Sequence, residues 1–124
     1  MVRICLSADH EDDRGVITDL LIGEEINAIT SLTMRSGAVR GNHYHRETQQ
    51  WTYVVSGEVT YAESPISGEK VLLPGLPGDL FLSEPWRVHA VRAEIASQII
   101  VFTSGPRAGA SYENDTVRVT DPIL

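Results

Sequence analysis

The sequence predicts one all-β domain, an antiparallel sandwich or barrel, and three observations lead there. Short β-branched and aromatic runs recur along the chain, clusters of Gly, Pro, Ser and Asn separate them, and helical periodicity is scarce. The length of 124 residues and the hydrophobic share of 42% suit a single domain, residues 1–124, with one real core. That core is expected over about residues 15–104, with 105–124 left as a C-terminal arm, a strand exchanged with a partner, or a lid.

Taken in order, the predicted strands are Gly15–Ile22, Ala28–Met34, Trp51–Val55, Glu58–Ala62, Lys70–Leu73, Asp79–Leu82, Val88–Ala93, Gln98–Thr103 and Val117–Val119. Breakers fall between them. Ser56-Gly57 reads as a tight hairpin, while Ser64-Pro65-Ile66-Ser67-Gly68 and Pro74-Gly75-Leu76-Pro77-Gly78 read as looser connections.

Ten basic against seventeen acidic residues give a formal charge of −7, which repels nucleic-acid phosphates and anionic lipid surfaces. Neither nucleic acid nor membrane is an expected partner. Cys5 has no second cysteine to pair with, and the N-terminal segment shows no apolar signal core, so a cytoplasmic protein is expected. The short apolar run around Cys5 marks it as a buried small hydrophobe.

Of four histidines, His43, His45 and His89 fall beside strand segments, whereas His10 lies in an acidic stretch between Asp9 and Glu11 and is expected to be inert. Side chains two apart in an extended segment share a face, so His43-Tyr44-His45 presents two imidazoles side by side. Such a pair, completed from neighbouring strands by Gln50 and His89, can hold a divalent zinc, iron, nickel or manganese ion; Glu47 is the second choice for the Gln50 place. The competing reading leaves each imidazole as a satisfied polar residue near a barrel mouth. Burying several imidazoles without a common purpose carries a desolvation cost, which favours one shared site.

Gly37, His43-Tyr44-His45, Gln50 and Gly57 follow one another at the spacing of the first cupin motif, and Gly78 through His89 resembles the second. The resemblance covers the central half of the chain and implies the cupin jelly-roll barrel. Gln50 stands where most metal-binding cupins carry glutamate, and Trp86 and Ala93 replace the usual glycine and asparagine of the second motif. Within the superfamily, Arg40-Gly41-Asn42-His43-Tyr44-His45 with Gln50 resembles the sugar-nucleotide 3,4-ketoisomerases and the cupin domain of capsular polysaccharide reductases. Asp12-Asp13-Arg14-Gly15 and Tyr112 to Arg118 are similar to the start and tail of such proteins. The resemblance implies proton transfer between sugar carbons by paired histidines.

The residue types suit that chemistry, because moving a carbonyl along a sugar needs a base to take a proton and an acid to return one. His43 and His45 are the expected catalytic pair, with Tyr61 as a donor to an enolate oxygen. Arg87 shares strand parity with His89 and is expected to face the same cavity and clamp an anionic group, Arg40 to do so from its loop, and Trp86 to stack on a sugar or base. An isomerase or epimerase acting on a nucleotide-linked deoxy keto-sugar is the first expectation. A metal-dependent oxygenase or lyase and a non-catalytic ligand-binding protein are the alternatives, and no organic cofactor is expected. Finally, if Gln50, Thr52 and Val54 face inward, then Trp51, Tyr53 and Val55 form an outward apolar stripe to be covered by a homodimer or by the chain's own ends.

Overall fold

The computed structural model describes residues 2–124. The strands are β1 (Arg3–Ile4), β2 (His10–Asp12), β3 (Gly15–Ile17), β4 (Ala28–Met34), β5 (Val39–His45), β6 (Gln49–Ser56), β7 (Val59–Pro65), β8 (Val71–Gly75), β9 (Leu80–Ser83), β10 (Arg87–Ala93), β11 (Ser97–Ser104) and β12 (Thr116–Arg118), with one helix, α1 (Gly109–Asp115). Two five-stranded antiparallel sheets, ordered β1-β9-β6-β11-β4 and β12-β5-β10-β7-β8, enclose the interior, and β2 and β3 form a separate hairpin. This is the jelly-roll barrel that the two motifs imply.

The interior is graded by period-two alternation, which places every second side chain of each strand inside. At one end Val54, Ile99, Ala93 and Val59 lie in register across their ladders and, with Met34 and Phe81, make the apolar core. Two residues along, Thr52, Val101, Val91 and Tyr61 form the next layer, and beyond them Gln50, Thr103, His89 and Glu63 form a polar one. The gradient from apolar to polar is written in the sequence of each strand. It closes one end of the barrel and opens the other.

Strand β4 has the predicted bounds, but the predicted strand from Gly15 stops at Ile17, where Asp9 turns the chain by accepting the Asp19 N–H at 2.6 Å. Strand β5 went unpredicted because Arg40-Gly41-Asn42 is poor strand sequence. Gly41 is needed there: with φ at +97° its backbone passes so close to β10 that a Cβ would lie 2.7 Å from the His89 carbonyl oxygen. The tail folds back onto its own barrel, α1 beside the open end and β12 paired with β5 through Thr116↔His45.

One expectation is corrected, and of the two coverings expected for the outer stripe one is seen in part. Cys5 is exposed, since it follows the two-residue β1 and joins no ladder. Trp51 does point outward, yet it is only 2% exposed in the isolated chain, and the N-terminal segment with Leu6, Val16 and Leu20 lies over Tyr53. Trp51 and Tyr53 are covered within one chain, and Val55, 38% exposed, is the part of the stripe left open.

Candidate active site

The open end of the barrel holds a cavity of about 390 Å³ lined by His43, His45, Gln50, Thr52, Tyr61 and His89, with Arg40, Arg107, Tyr112 and Arg118 also on its wall. Strand β5 supplies His43 and His45 from one face, and β10 supplies His89 directly across the ladder from His43. The ring centroids of His43 lie 4.9 Å from those of His45 and 4.7 Å from those of His89, and one nitrogen from each ring falls within 4.8 Å of the others. Gln50 reaches the His45 ring and donates to Thr52 Oγ1 at 3.3 Å.

The tail contributes what the sequence did not reveal. Asp115, at the end of α1, buries its side chain and sets Oδ2 3.4 Å from His45 Nδ1, while Thr116 Oγ1 lies 3.2 Å from the same nitrogen. The carboxylate is itself held, accepting the Glu47 N–H and the Thr48 hydroxyl, each at 2.6 Å. An acceptor at Nδ1 puts the imidazole proton there and leaves the Nε2 lone pair for the cavity, where it has no partner among the described residues. Asp115 is only a short polar residue in the sequence, and nothing local marks it as a histidine's partner. Arg107 lies over the Tyr112 ring at 5.0 Å and, like Arg118, brings positive charge to the cavity mouth.

The imidazoles are kept neutral. Burial pushes His43 down to about 4, helped by the charges of His45, Arg118 and Arg107. Burial also lowers His89 well below its ordinary value, with His43 and His45 adding repulsion. His45 is lowered by burial too, but the Asp115 carboxylate and the Gln50 side chain oppose the shift. His45 is therefore the ring best able to take up a proton.

Other predicted residues lie elsewhere. Arg87 has interior parity but sits a layer above His89, with its Nε donating to Glu63 Oε1 at 2.7 Å beside a separate cleft. Trp86 is 51% exposed, outside the cavity, and its ring lies against Tyr44 with centroids 5.5 Å apart. Its φ of +66° occupies the left-handed region, which explains why glycine is usual at that motif position. Tyr61 lines the cavity floor, but its hydroxyl is engaged with Ser83 Oγ, its ring stacks on Phe81, and burial drives its ionisation upward. Glu47 is exposed and lends the site only its backbone N–H, and His10 pairs with Asp12 at the surface.

A model of the polysaccharide biosynthesis C-terminal domain matches residues 10–79, more than half of the chain. The chain belongs to that family. No curated protein sequence matches it. Among solved structures it is similar to a dTDP-4-dehydrorhamnose 3,5-epimerase from Sulfolobus tokodaii, at 18% identity and TM-score 0.74 over 92% of this chain and 72% of that one. It is also similar to QdtA, a sugar 3,4-ketoisomerase from Thermoanaerobacterium thermosaccharolyticum in complex with TDP, at 17% identity and TM-score 0.75 over 96% and 86%. A third likeness is to CapF, a capsular polysaccharide assembling protein from Staphylococcus aureus, of which the chain spans only 34% at 17% identity and TM-score 0.67. These likenesses establish the cupin fold that the polysaccharide-domain family member adopts.

The donor set also fits a metal. His45 Nε2 and both ring nitrogens of His89 are buried and unpartnered among the described residues, and neutral imidazole is the form that binds a transition ion.

Proposed function

We propose that the chain is an isomerase or epimerase acting on a nucleotide-linked deoxy keto-sugar. The observation that carries the reading is the His45–Asp115 pair, which holds an imidazole with its free nitrogen toward a cavity of sugar size. In the mechanism, His45 Nε2 takes the proton from the carbon beside the sugar carbonyl, and Asp115 at Nδ1 stabilises the imidazolium that forms. The proton then held on His45 Nε2 is returned at the adjacent carbon, and neutral His43, 4.9 Å away between ring centroids on the same strand face, passes the hydroxyl proton to the former carbonyl oxygen, accepting at one ring nitrogen and donating at the other. Arg40, Arg107 and Arg118 at the mouth suit the diphosphate of the nucleotide. Neighbours of the same fold act on such compounds, one of them in complex with TDP-4-keto-6-deoxyglucose. Titrating the protein with TDP, then following TDP-4-keto-6-deoxyglucose by NMR for a shifted carbonyl or an inverted centre, tests the reading. Neither binding nor product would refute it.

A second reading rests on the unpartnered nitrogens. His43, His45 and His89, with the Gln50 amide oxygen, would hold a zinc, iron, nickel or manganese ion, which when bound supplies a Lewis acid beside the substrate. Metal content of protein purified without a histidine tag, and its loss to a chelator, test it. A homodimer is part of the proposal, supported by the apolar groups left open on the outer face of the β4 sheet, Ile29 (68% exposed) beside Phe102 and Val55 (38% exposed). Light scattering at micromolar concentration checks this, and a monomer would refute it.

A further inference from the structure

Glu63 is a buried carboxyl that the mechanism above does not use. It is 5% exposed, Oε1 accepts from Arg87, and Oε2 has no partner among the described residues. In the β7–β10 ladder Glu63 lies directly opposite His89, and both side chains share the interior face. Residues so opposed carry their Cβ atoms roughly 4.5–5.5 Å apart. His89 is also buried, with neither ring nitrogen in a well-formed hydrogen bond among the described residues and only the Arg87 backbone near enough to favour its charged form. An imidazole N–H and a carboxylate oxygen that both lack partners on adjacent stems are complementary, and each left alone in a protein interior is unfavourable.

The two residues open to different spaces. His89 lines the main cavity, whereas Glu63 lines a second cleft of about 320 Å³ with Val2, Leu82, Glu84 and Arg87. Glu63 and His89 thus face different spaces from opposed ladder positions, and Arg87 anchors one Glu63 oxygen while the other stays free. This accounts for an arginine of interior parity that does not enter the main cavity.

We propose that Glu63, anchored by Arg87, is a positioning residue for His89. Through one bound water, Glu63 accepts the hydrogen bond from the ring N–H turned away from the cavity, so the nitrogen facing the cavity presents a lone pair. Asp115 does the same for His45 from the other side, and the inference rests on the reading that His89 belongs to the working site.

The test is the tautomer of His89 in metal-stripped full-length protein labelled with ¹⁵N-histidine, read by long-range ¹H–¹⁵N correlation. Wild-type protein should show one neutral tautomer. In Glu63→Gln, Arg87 can only donate, so it keeps the amide oxygen, and the new NH₂ is turned toward His89. The tautomer should then invert, with His43 and His45 unaffected, and zinc affinity measured by titration should fall about 10–100-fold. A purely structural Glu63 would not invert a tautomer. An unchanged His89 tautomer in Glu63→Gln overturns the proposal. Where that variant fails to fold, the pair replacement Glu63→Leu with Arg87→Met leaves no unpaired buried charge and decides: a tautomer mixture supports the role, and a single unchanged tautomer overturns it. No substrate is needed, so the outcome is separable from the turnover test above.

Discussion

Replacing Asp115 by Asn isolates what the carboxylate does for His45. The Asp115 oxygens are not equivalent: Oδ1 serves the Glu47 N–H, while Oδ2 serves the Thr48 hydroxyl and faces His45 Nδ1 at 3.4 Å. A backbone N–H can only donate, so the asparagine oxygen must stay on the Glu47 side and its NH₂ must take the place of Oδ2. Thr48 adapts, because its hydroxyl can accept from the NH₂ and turn its own proton to the Pro106 carbonyl, 3.4 Å away. His45 does not adapt so easily. An NH₂ at Nδ1 drives the ring proton to Nε2, and the cavity loses its lone pair. Charge-assisted bonds become neutral ones, which costs about 1–2 kcal/mol of stability. The loss of base function should lower kcat by roughly 10²–10⁴-fold, or about 3–5 kcal/mol of barrier. Asp115→Ala should instead cost about 3 kcal/mol of stability, because it takes the carboxylate acceptor from the Glu47 N–H, the Thr48 hydroxyl and the His45 ring at once. Denaturant unfolding and turnover of the TDP-linked keto-sugar together read both effects. An asparagine variant that melts lower but retains kcat within threefold would refute the orientation argument.

Acid should destabilise the fold through the buried imidazoles. His43 titrates at about 4 when folded and near 6.5 when unfolded, so its contribution is intact above pH 6.5 and is lost as pH falls toward 4. The full loss is about 3 kcal/mol, seen as a falling denaturation midpoint, and a flat midpoint over that window would contradict the burial of the ring. Catalysis by neutral His45 should fail below its lowered pKa, placing the acid limb of the kcat profile below pH 6.5. Gln50→Glu should tighten zinc retention measured against a chelator, since a carboxylate adds charge to a neutral donor set; an unchanged affinity would remove Gln50 from the ligands. Trp51→Ala, at a side chain 2% exposed, should cost about 3–5 kcal/mol, whereas Trp86→Ala, at one 51% exposed, should cost far less; equal losses in thermal unfolding would contradict the assignment of faces.

The parts of this site that lie within one strand or one ladder were legible from period two alone. His43 beside His45, and Gln50 above Thr52 and Val54, share faces because alternation dictates it. Parity does not report depth. Arg87 has the same parity as His89, but one more step along β10 takes it past the cavity to Glu63, a partner 24 residues away. The tail was illegible for a different reason. Helix α1 is seven residues long, too short to show periodicity, and the value of Asp115 depends on closing a loop of 70 residues back to His45. Tyr61 looked like a donor because the strand faces inward there, and it does face inward, but Ser83 claims its hydroxyl.

Solvent deuterium uptake tests the central claim most directly. Metal-stripped protein is incubated in D₂O with TDP-4-keto-6-deoxyglucose, and the carbon beside the carbonyl is followed by NMR. Proton abstraction by His45 predicts deuterium at that carbon at a rate well above the protein-free rate, lost in His45→Ala. Exchange no faster than without protein, from a folded sample that binds TDP, would contradict it.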